Sequence, residues 1–277
     1  MKNYRAYHFT VSPPDSLDIV SAWLTAFPFE SYVQTEQGVT AYVQEEAVPE
    51  ISIEDCLAVP FDGVVVTVET EDIAGQNWNA SWEEKFHPIT VDDWTVRASF
   101  HKPAQTPNEL VIDPKMSFGT GHHATTQLML SQLFKLPCEG LSVLDVGTGT
   151  GVLAIAAKKR GAASVIGVDI EDWCVENANE NAEKNHVSTI AFSTDDVTEF
   201  TNSKHDIILA NINRNVLLEH LPIYAKLLAP KGCLLLSGFH LEDVTALTAL
   251  AEKHGLSKLD QTAQNGWVSL KFILSLV

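Results

Sequence analysis

The sequence lacks what a membrane, secreted or nucleic-acid-gripping protein requires. No apolar run approaches the roughly 18 to 20 residues that cross a bilayer. Its amino terminus, MKNYRAYHFTVSPPDS, has no uninterrupted apolar core of the kind a signal peptide carries. These absences predict a cytoplasmic protein with no membrane partner. Cysteine is sparse, and Cys56, Cys138, Cys174 and Cys233 stand far apart with no CxxC spacing, which argues against a disulfide framework or a zinc cluster. Basic residues are scarce too: 18 Lys and Arg face 36 Asp and Glu, leaving a net charge of −18. Non-specific nucleic-acid binding needs clustered cations facing phosphates, so no such binding is expected, and a basic partner suits the charge better. Repeats and low-complexity tracts are missing as well.

What remains is enough chain for two domains: 277 residues, of which 45 % are hydrophobic, can bury a core without metals or disulfides. The first seventy residues read as short elements in the order βαββαβ. Tyr4 to Val11 alternates like a strand, SPPDS caps a helix from about Leu17 to Phe27, and two extended runs flank Gln37-Gly38. A short helix in EISIEDCLAV and the β-branched run DGVVVTVET complete the pattern, which is that of a ferredoxin-like α+β domain. This segment has two basic residues against eleven acidic ones, nine of the eighteen net negative charges. It carries no catalytic cluster, so a binding or spacing role is expected of residues 1–70. A helical linker over 71–88 follows, with Trp78, Trp82 and Phe86 on one stripe at i, i+4 and i+8, and a second domain occupies 89–277. That domain opens with a hairpin in ITVDDWTVRASF.

From Leu141 onward, apolar strands alternate with helical patterns near Val152 to Arg160, Cys174 to Lys184, Val216 to Leu228 and Leu241 to His254. Strand and helix in alternation mean a parallel sheet covered on both faces. The last two strands have no long helix between them, which predicts an antiparallel edge. In VLDVGTGTG, glycines at 147, 149 and 151 follow a strand and precede a helix. A dinucleotide fingerprint would want glycine at 152, where the chain has Val. The turn still lets backbone approach a ligand closely, Gly147 and Gly149 above all, because no Cβ intervenes. The next strand ends in GVDIE, where the Asp169 carboxylate can accept two hydrogen bonds from a ribose diol. Together these motifs indicate a nucleoside cofactor.

VLDVGTGTG, GVDIE, STDD and DIILANI, in that order and spacing, resemble the successive motifs of class I S-adenosylmethionine-dependent methyltransferases. That resemblance implies an α/β fold with a Rossmann-like seven-stranded sheet and a reversed last strand. DPKMSFGTGHHATT ahead of the glycine turn, with NGWVSL near the end, is similar to the bacterial ribosomal protein L-eleven methyltransferases, whose small N-terminal domain recognises the substrate. The family resemblance implies S-adenosyl-L-methionine as cofactor, ribosomal protein L-eleven, free or on the large subunit, as partner, and trimethylation of lysine side chains and the α-amine. By it, Thr126, Gly147, Asp169 and Asn211 bind the cofactor, and Phe118, Gly119 and Thr120 of the FGTG loop fold over it. Ile170 next to Asp169 joins this set. One glycine turn then forms the floor of the cofactor site and the other its lid. Asn211 is taken as catalytic, orienting the amine from the tip of the fourth strand. A monomer is expected.

Competing readings bear on particular residues. Adjacent His122 and His123 point in different directions, with no nearby carboxylate to complete a metal site, so no metal is expected. Asp195 and Asp196 suit a hydrogen bond near the adenine, assigned here to Asp196, better than a catalytic dyad, because methyl transfer needs no protein nucleophile. The substrate contacts of Asn213 and Arg214 stay unassigned. The alternatives are a methyltransferase of another protein or of RNA, a nicotinamide dehydrogenase disfavoured by Val152, and a binding module that keeps a nucleoside pocket without catalysis.

Overall fold

A computed structural model of the chain describes residues 3–35, 38–73, 86–115, 117–200 and 203–275. The chain divides into two compact units, Met1–Lys85 and Phe86–Val277. The expected linker stripe at Trp78 and Trp82 lies outside the described residues, and Phe86 is not helical.

The first unit runs β1 (Tyr4–Ser12), α1 (Leu17–Leu24), β2 (Ser31–Gln34), β3 (Gly38–Gln44), α2 (Ile53–Leu57) and β4 (Val65–Ile73). Its sheet has the order β2-β3-β1-β4 with antiparallel neighbours throughout, the ferredoxin-like arrangement predicted from the element order. Period-two alternation explains which face is buried: Tyr7, Phe9 and Val11 of β1 join Val39, Ala41 and Val43 of β3 against Val20 and Leu24 of α1. Tyr7 and Phe9 each meet Phe29 edge-on, with ring centroids 5.3 and 5.9 Å apart. Strand β4 runs three residues past the expected end at 70, because Glu71, Asp72 and Ile73 still pair with Ala6, Arg5 and Tyr4.

The second unit starts with a small sheet of β5 (Ile89–Val91), β6 (Trp94–Arg97) and β7 (Glu109–Val111). The predicted hairpin is there: β5 and β6 pair antiparallel across Asp92-Asp93, and Asp92 has φ of 51°. The main sheet follows, with β8 (Ser142–Val146), β9 (Ser164–Val168), β10 (Ala191–Ser193), β11 (His205–Asn211), β12 (Leu228–His240), β13 (Leu256–Gln264) and β14 (Trp267–Leu274) in the order β10-β9-β8-β11-β12-β14-β13. Neighbours from β10 to β12 are parallel, and β14 is antiparallel to both β12 and β13. The helices are α3 (Ala124–Phe134), α4 (Val152–Lys159), α5 (Asp172–Lys184), α6 (Arg214–Leu227) and α7 (Val244–Lys253).

The central strands are apolar at successive positions because both faces are covered. Val143, Ile207, Leu209 and Leu235 share one core with residues of α3 and α4, such as Leu133 and Ile155. Leu144, Ile208, Ala210 and Leu236 share the other with Leu221 and Leu247 of α6 and α7. Both helical layers leave the carboxyl ends of β8 to β12 open, and that is where ligands bind in sheets of this kind. Among the described residues, no helix is long and apolar enough to cross a membrane.

Candidate functional site

The carboxyl edge of the main sheet carries a cleft of about 740 Å³. Its floor is the turn after β8, where Gly147, Gly149 and Gly151 have φ of 69°, 54° and 80°. Glycine is required there for two reasons. Backbone of that hand is strained for other residues, and the space is already taken. A Cβ on Gly149 would stand 2.3 Å from the Phe118 carbonyl oxygen, and one on Gly147 would stand 2.3 Å from Ile212 Cγ2.

The two glycine turns are bonded to each other. Thr150 donates its N–H to the Phe118 carbonyl at 2.9 Å and its hydroxyl to the Gly119 carbonyl at 2.7 Å. The chain leading into the Phe118 loop is held in turn by a stripe of asparagines on α5 and at its C-cap, Asn185. Asn185 exchanges two hydrogen bonds with the Val111 backbone at 3.0 and 2.6 Å. One turn back, Asn181 accepts from the Asp113 N–H at 2.9 Å and donates to the Thr150 carbonyl at 3.0 Å. Asn177 donates to the Asp113 carbonyl at 3.3 Å. All three are at least 96 % buried. Together they give the backbone of 111 to 113 the hydrogen bonds that a neighbouring strand would otherwise supply.

Beneath the floor, Asp145 is 1 % exposed. One carboxylate oxygen accepts from the Thr148 hydroxyl at 2.7 Å and the Ala154 N–H at 3.2 Å, and the other has no partner among the described residues. Burial pushes this carboxyl up to about 7 against those two donors, and the charge on Asp169 adds to the rise. The sequence reading passed over Asp145; a carboxylate at the fourth position of the five-residue strand SVLDV was its only signal.

Of the ten residues expected to hold a cofactor, Phe118, Gly147, Gly149, Asp169, Ile170, Asp196 and Asn211 line the cleft. Asp169 accepts the Gly149 N–H at 2.9 Å on one oxygen and the Glu171 N–H at 3.2 Å on the other. Each oxygen keeps a second lone pair for a ligand. Asp196 caps the short helical turn Val197–Glu199 through the Thr198 N–H at 2.8 Å, and the Thr198 hydroxyl together with that N–H holds its carboxyl below the usual range. Capping and facing the cleft are therefore both true of Asp196, and Asp195 lines the cleft beside it. Gly119, Thr120 and Thr126 are not on the wall. The Gly119 carbonyl is turned to Thr150, Thr120 lies within 3.3 Å of His122 Nδ1, and Thr126 is fully buried in the first turn of α3 with no hydroxyl partner among the described residues.

Asn211, at the end of β11, keeps a buried side-chain oxygen without a protein partner among the described residues while lining the cleft. An unpaired buried acceptor costs about 1 to 3 kcal/mol, so a ligand donor is the natural complement. The cleft also takes in residues that sequence reasoning missed. Trp267 starts β14 and faces His240 at the tip of β12, and Gly238, His220 and Thr125 line the same space. His123, weighed only as a metal ligand, caps α3 by accepting the Thr125 N–H, while His122 donates from Nε2 to the His87 carbonyl at 2.8 Å. No group of three His, Cys, Asp or Glu among the described residues is placed to hold a metal.

Comparison with known proteins gives one consistent result. Residues 15–274 match the family model described as Ribosomal protein L11 methyltransferase (PrmA). A ribosomal protein L11 methyltransferase of Phocaeicola vulgatus is 37 % identical over 278 residues, covering 98 % of this chain and 99 % of that protein. One from Porphyromonas gingivalis is 41 % identical and covers 97 % of each. Among solved structures, a ribosomal protein L11 methylase from Lactobacillus delbrueckii subsp. bulgaricus superposes with a TM-score of 0.64 at 28 % identity, covering 69 % of this chain and all of the other.

Proposed function

The chain belongs to the ribosomal protein L11 methyltransferase family, and from that premise we propose that it transfers methyl groups from S-adenosyl-L-methionine to lysine side-chain and N-terminal amines of ribosomal protein L11. The observation that carries this reading is one cleft in which a glycine floor, a ribose-competent carboxylate and an unpaired asparagine acceptor stand in a row along the sheet edge. When bound, S-adenosyl-L-methionine supplies an electrophilic methyl group on a sulfonium. The protein's own groups bind and orient. Asp169 accepts the ribose hydroxyls, Asp196 lies toward the base, Gly147 and Gly149 offer bare backbone, and the loop carrying Phe118 shields the cleft from water. Asn211 accepts a hydrogen bond from the attacking amine and so points its lone pair. The lost proton goes to solvent.

No side chain need act as nucleophile, so the demand on the protein is a neutral, aligned amine. A lysine amine of pKa about 10.4 costs about 4 kcal/mol to hold neutral near pH 7.4, whereas an α-amine at about 7.7 to 8.0 costs well under 1 kcal/mol. Alignment supplies several kcal/mol of the remaining acceleration. The α-amine is therefore the faster target.

The test is mass spectrometry of purified ribosomal protein L11 incubated with the protein and S-adenosyl-L-methionine. Gains of one methyl mass, stacking to several, are expected. Transfer to a ribosomal extract but not to that protein would keep the methyltransferase and discard the substrate.

A further inference from the structure

Three aromatic rings stand in sequence along the wall of the cleft. Phe118 and His123 meet edge-on with centroids 5.2 Å apart, and His123 meets Trp267 edge-on at 4.9 Å. All three line the cleft, and Phe118, although apolar, is 55 % exposed there. Their position follows from the strand order. Asp169 stands just past β9, Asn211 ends β11 and Trp267 begins β14. Strands lie about 4.8 Å apart, so Trp267 is roughly 19 Å along the sheet edge from Asp169 and roughly 10 Å beyond Asn211. Trp267, with His123 against it, therefore stands on the far side of Asn211 from the nucleoside end, where an incoming amine would lie, and Phe118 meets His123 from the loop over the glycine floor.

Charge divides along the same line. Five carboxylates line the cleft: Asp169, Glu171, Asp195, Asp196 and Glu219. They come from the segments after β9 and β10 and from α6. The lining residues of the Phe118 loop and of the tips of β12 and β14 are Phe118, His123, Thr125, Gly238 and Trp267, with no carboxylate among them. His123 is held at the start of α3, its Nδ1 accepting the Thr125 N–H at 3.4 Å and lying 2.8 Å from the Thr125 hydroxyl. Trp267 is fixed from behind by the His240 ring at 4.0 Å, and His240 Nδ1 lies 3.2 Å from the Gly266 carbonyl.

We infer that Phe118, His123 and Trp267 form a subsite for methylated ammonium ions, one that retains a partly methylated amine for further rounds of transfer. This rests on the proposed amine chemistry of the same cleft. A carboxylate at this place would favour the charged form of the unmethylated amine and oppose the deprotonation that attack requires. Ring faces attract a cation with no need for an N–H donor, and quaternary ammonium groups are bound by aromatic side chains in this way. Each added methyl removes an N–H and adds apolar surface. Attraction to the rings therefore persists as hydrogen bonding to water is lost, and the subsite favours a product over its precursor.

Two measurements on the full chain test this. The first compares binding of Nε-trimethyl-lysine amide and lysine amide to the protein saturated with S-adenosylhomocysteine, by ligand-observed NMR. The trimethylated ligand is expected to bind about tenfold tighter, a difference of about 1.4 kcal/mol. Trp267→Ala should abolish that preference and Trp267→Phe should reduce it. Equal affinities in the wild type, or a preference that survives in Trp267→Ala, would overturn the inference. So would a loss of S-adenosylmethionine affinity relative to S-adenosylhomocysteine in these variants, since the rings would then face the sulfonium. If Trp267→Ala does not fold, Trp267→Phe decides by the same comparison. The second measurement is the product distribution on ribosomal protein L11, where Trp267→Phe should accumulate mono- and dimethyl forms at the expense of trimethyl. A trimethyl-lysine preference without any transfer to that protein would leave the subsite standing and remove the proposed substrate. Transfer with no preference and an unchanged distribution would do the reverse.

Discussion

Replacing Asp145 by Asn should flatten the dependence of stability on pH between pH 5 and 6.5. The carboxyl is buried beneath the glycine floor, and burial pushes it up to about 7 in the folded chain, against about 3.9 when unfolded. Between those values the folded state holds a proton that the unfolded state has lost. Stability therefore falls as pH rises, by about 1.36 kcal/mol per unit from this group alone. Its contribution is complete below about pH 3.9 and lost above about 7, a total of about 4 kcal/mol. Over pH 5 to 6.5 the wild type should lose about 2 kcal/mol that Asp145→Asn does not. The carboxamide can still accept from Thr148 and Ala154, so any constant cost of the substitution shifts the curve without tilting it. Hydrogen exchange at the β8 amides, corrected for intrinsic rates, reads the opening free energy of this unit separately from the first. Other carboxylates titrate in both proteins and cancel in the difference. Parallel curves would mean that Asp145 stays ionised in the folded chain, and the argument from burial would fail.

Three further outcomes follow from the site. Gly149→Ala should cost about 2 kcal/mol or more from left-handed backbone strain alone. It should also push the Phe118 loop off the floor, since the new Cβ would lie 2.3 Å from a backbone oxygen; calorimetric titration with S-adenosylhomocysteine should show at least tenfold weaker binding, and wild-type affinity would contradict the packing argument. Asn211→Ala should lower kcat about 100-fold while changing cofactor affinity much less, if its free oxygen orients the amine; weaker cofactor binding with unchanged turnover at saturation would assign it to the cofactor instead. Asn181→Leu should strand the Asp113 N–H and the Thr150 carbonyl, costing about 1 to 3 kcal/mol for each buried group. It should also raise the KM for S-adenosyl-L-methionine, and an unchanged melting temperature would refute the anchoring role.

Legibility from sequence tracked how local each signal was. The central strands of the main sheet announce themselves through apolar runs, and the glycines at 147, 149 and 151 sit where backbone of φ 54° to 80° disfavours other residues, so period and composition sufficed. The first unit was readable because its alternation is carried by large residues such as Tyr7 and Phe9. What escaped depends on contacts between distant segments. Trp267 reads as one more aromatic in a terminal strand until antiparallel pairing sets it beside His240 and the segment after the Phe118 loop brings His123 into an edge contact with it. The asparagines of NANENAEKN read, by hydropathy alone, as the solvated side of a helix. Their spacing of four puts Asn177, Asn181 and Asn185 on one face, and that face is buried because it meets backbone and not apolar side chains. A polar stripe can be a core face wherever the opposing segment is a strand edge or loop with unsatisfied N–H and C=O groups, because each such group must find a partner before it can be buried. Hydropathy counts side chains and cannot register that demand. The loop over the glycine floor was therefore visible in the sequence as a motif, whereas the groups that hold it in place were not.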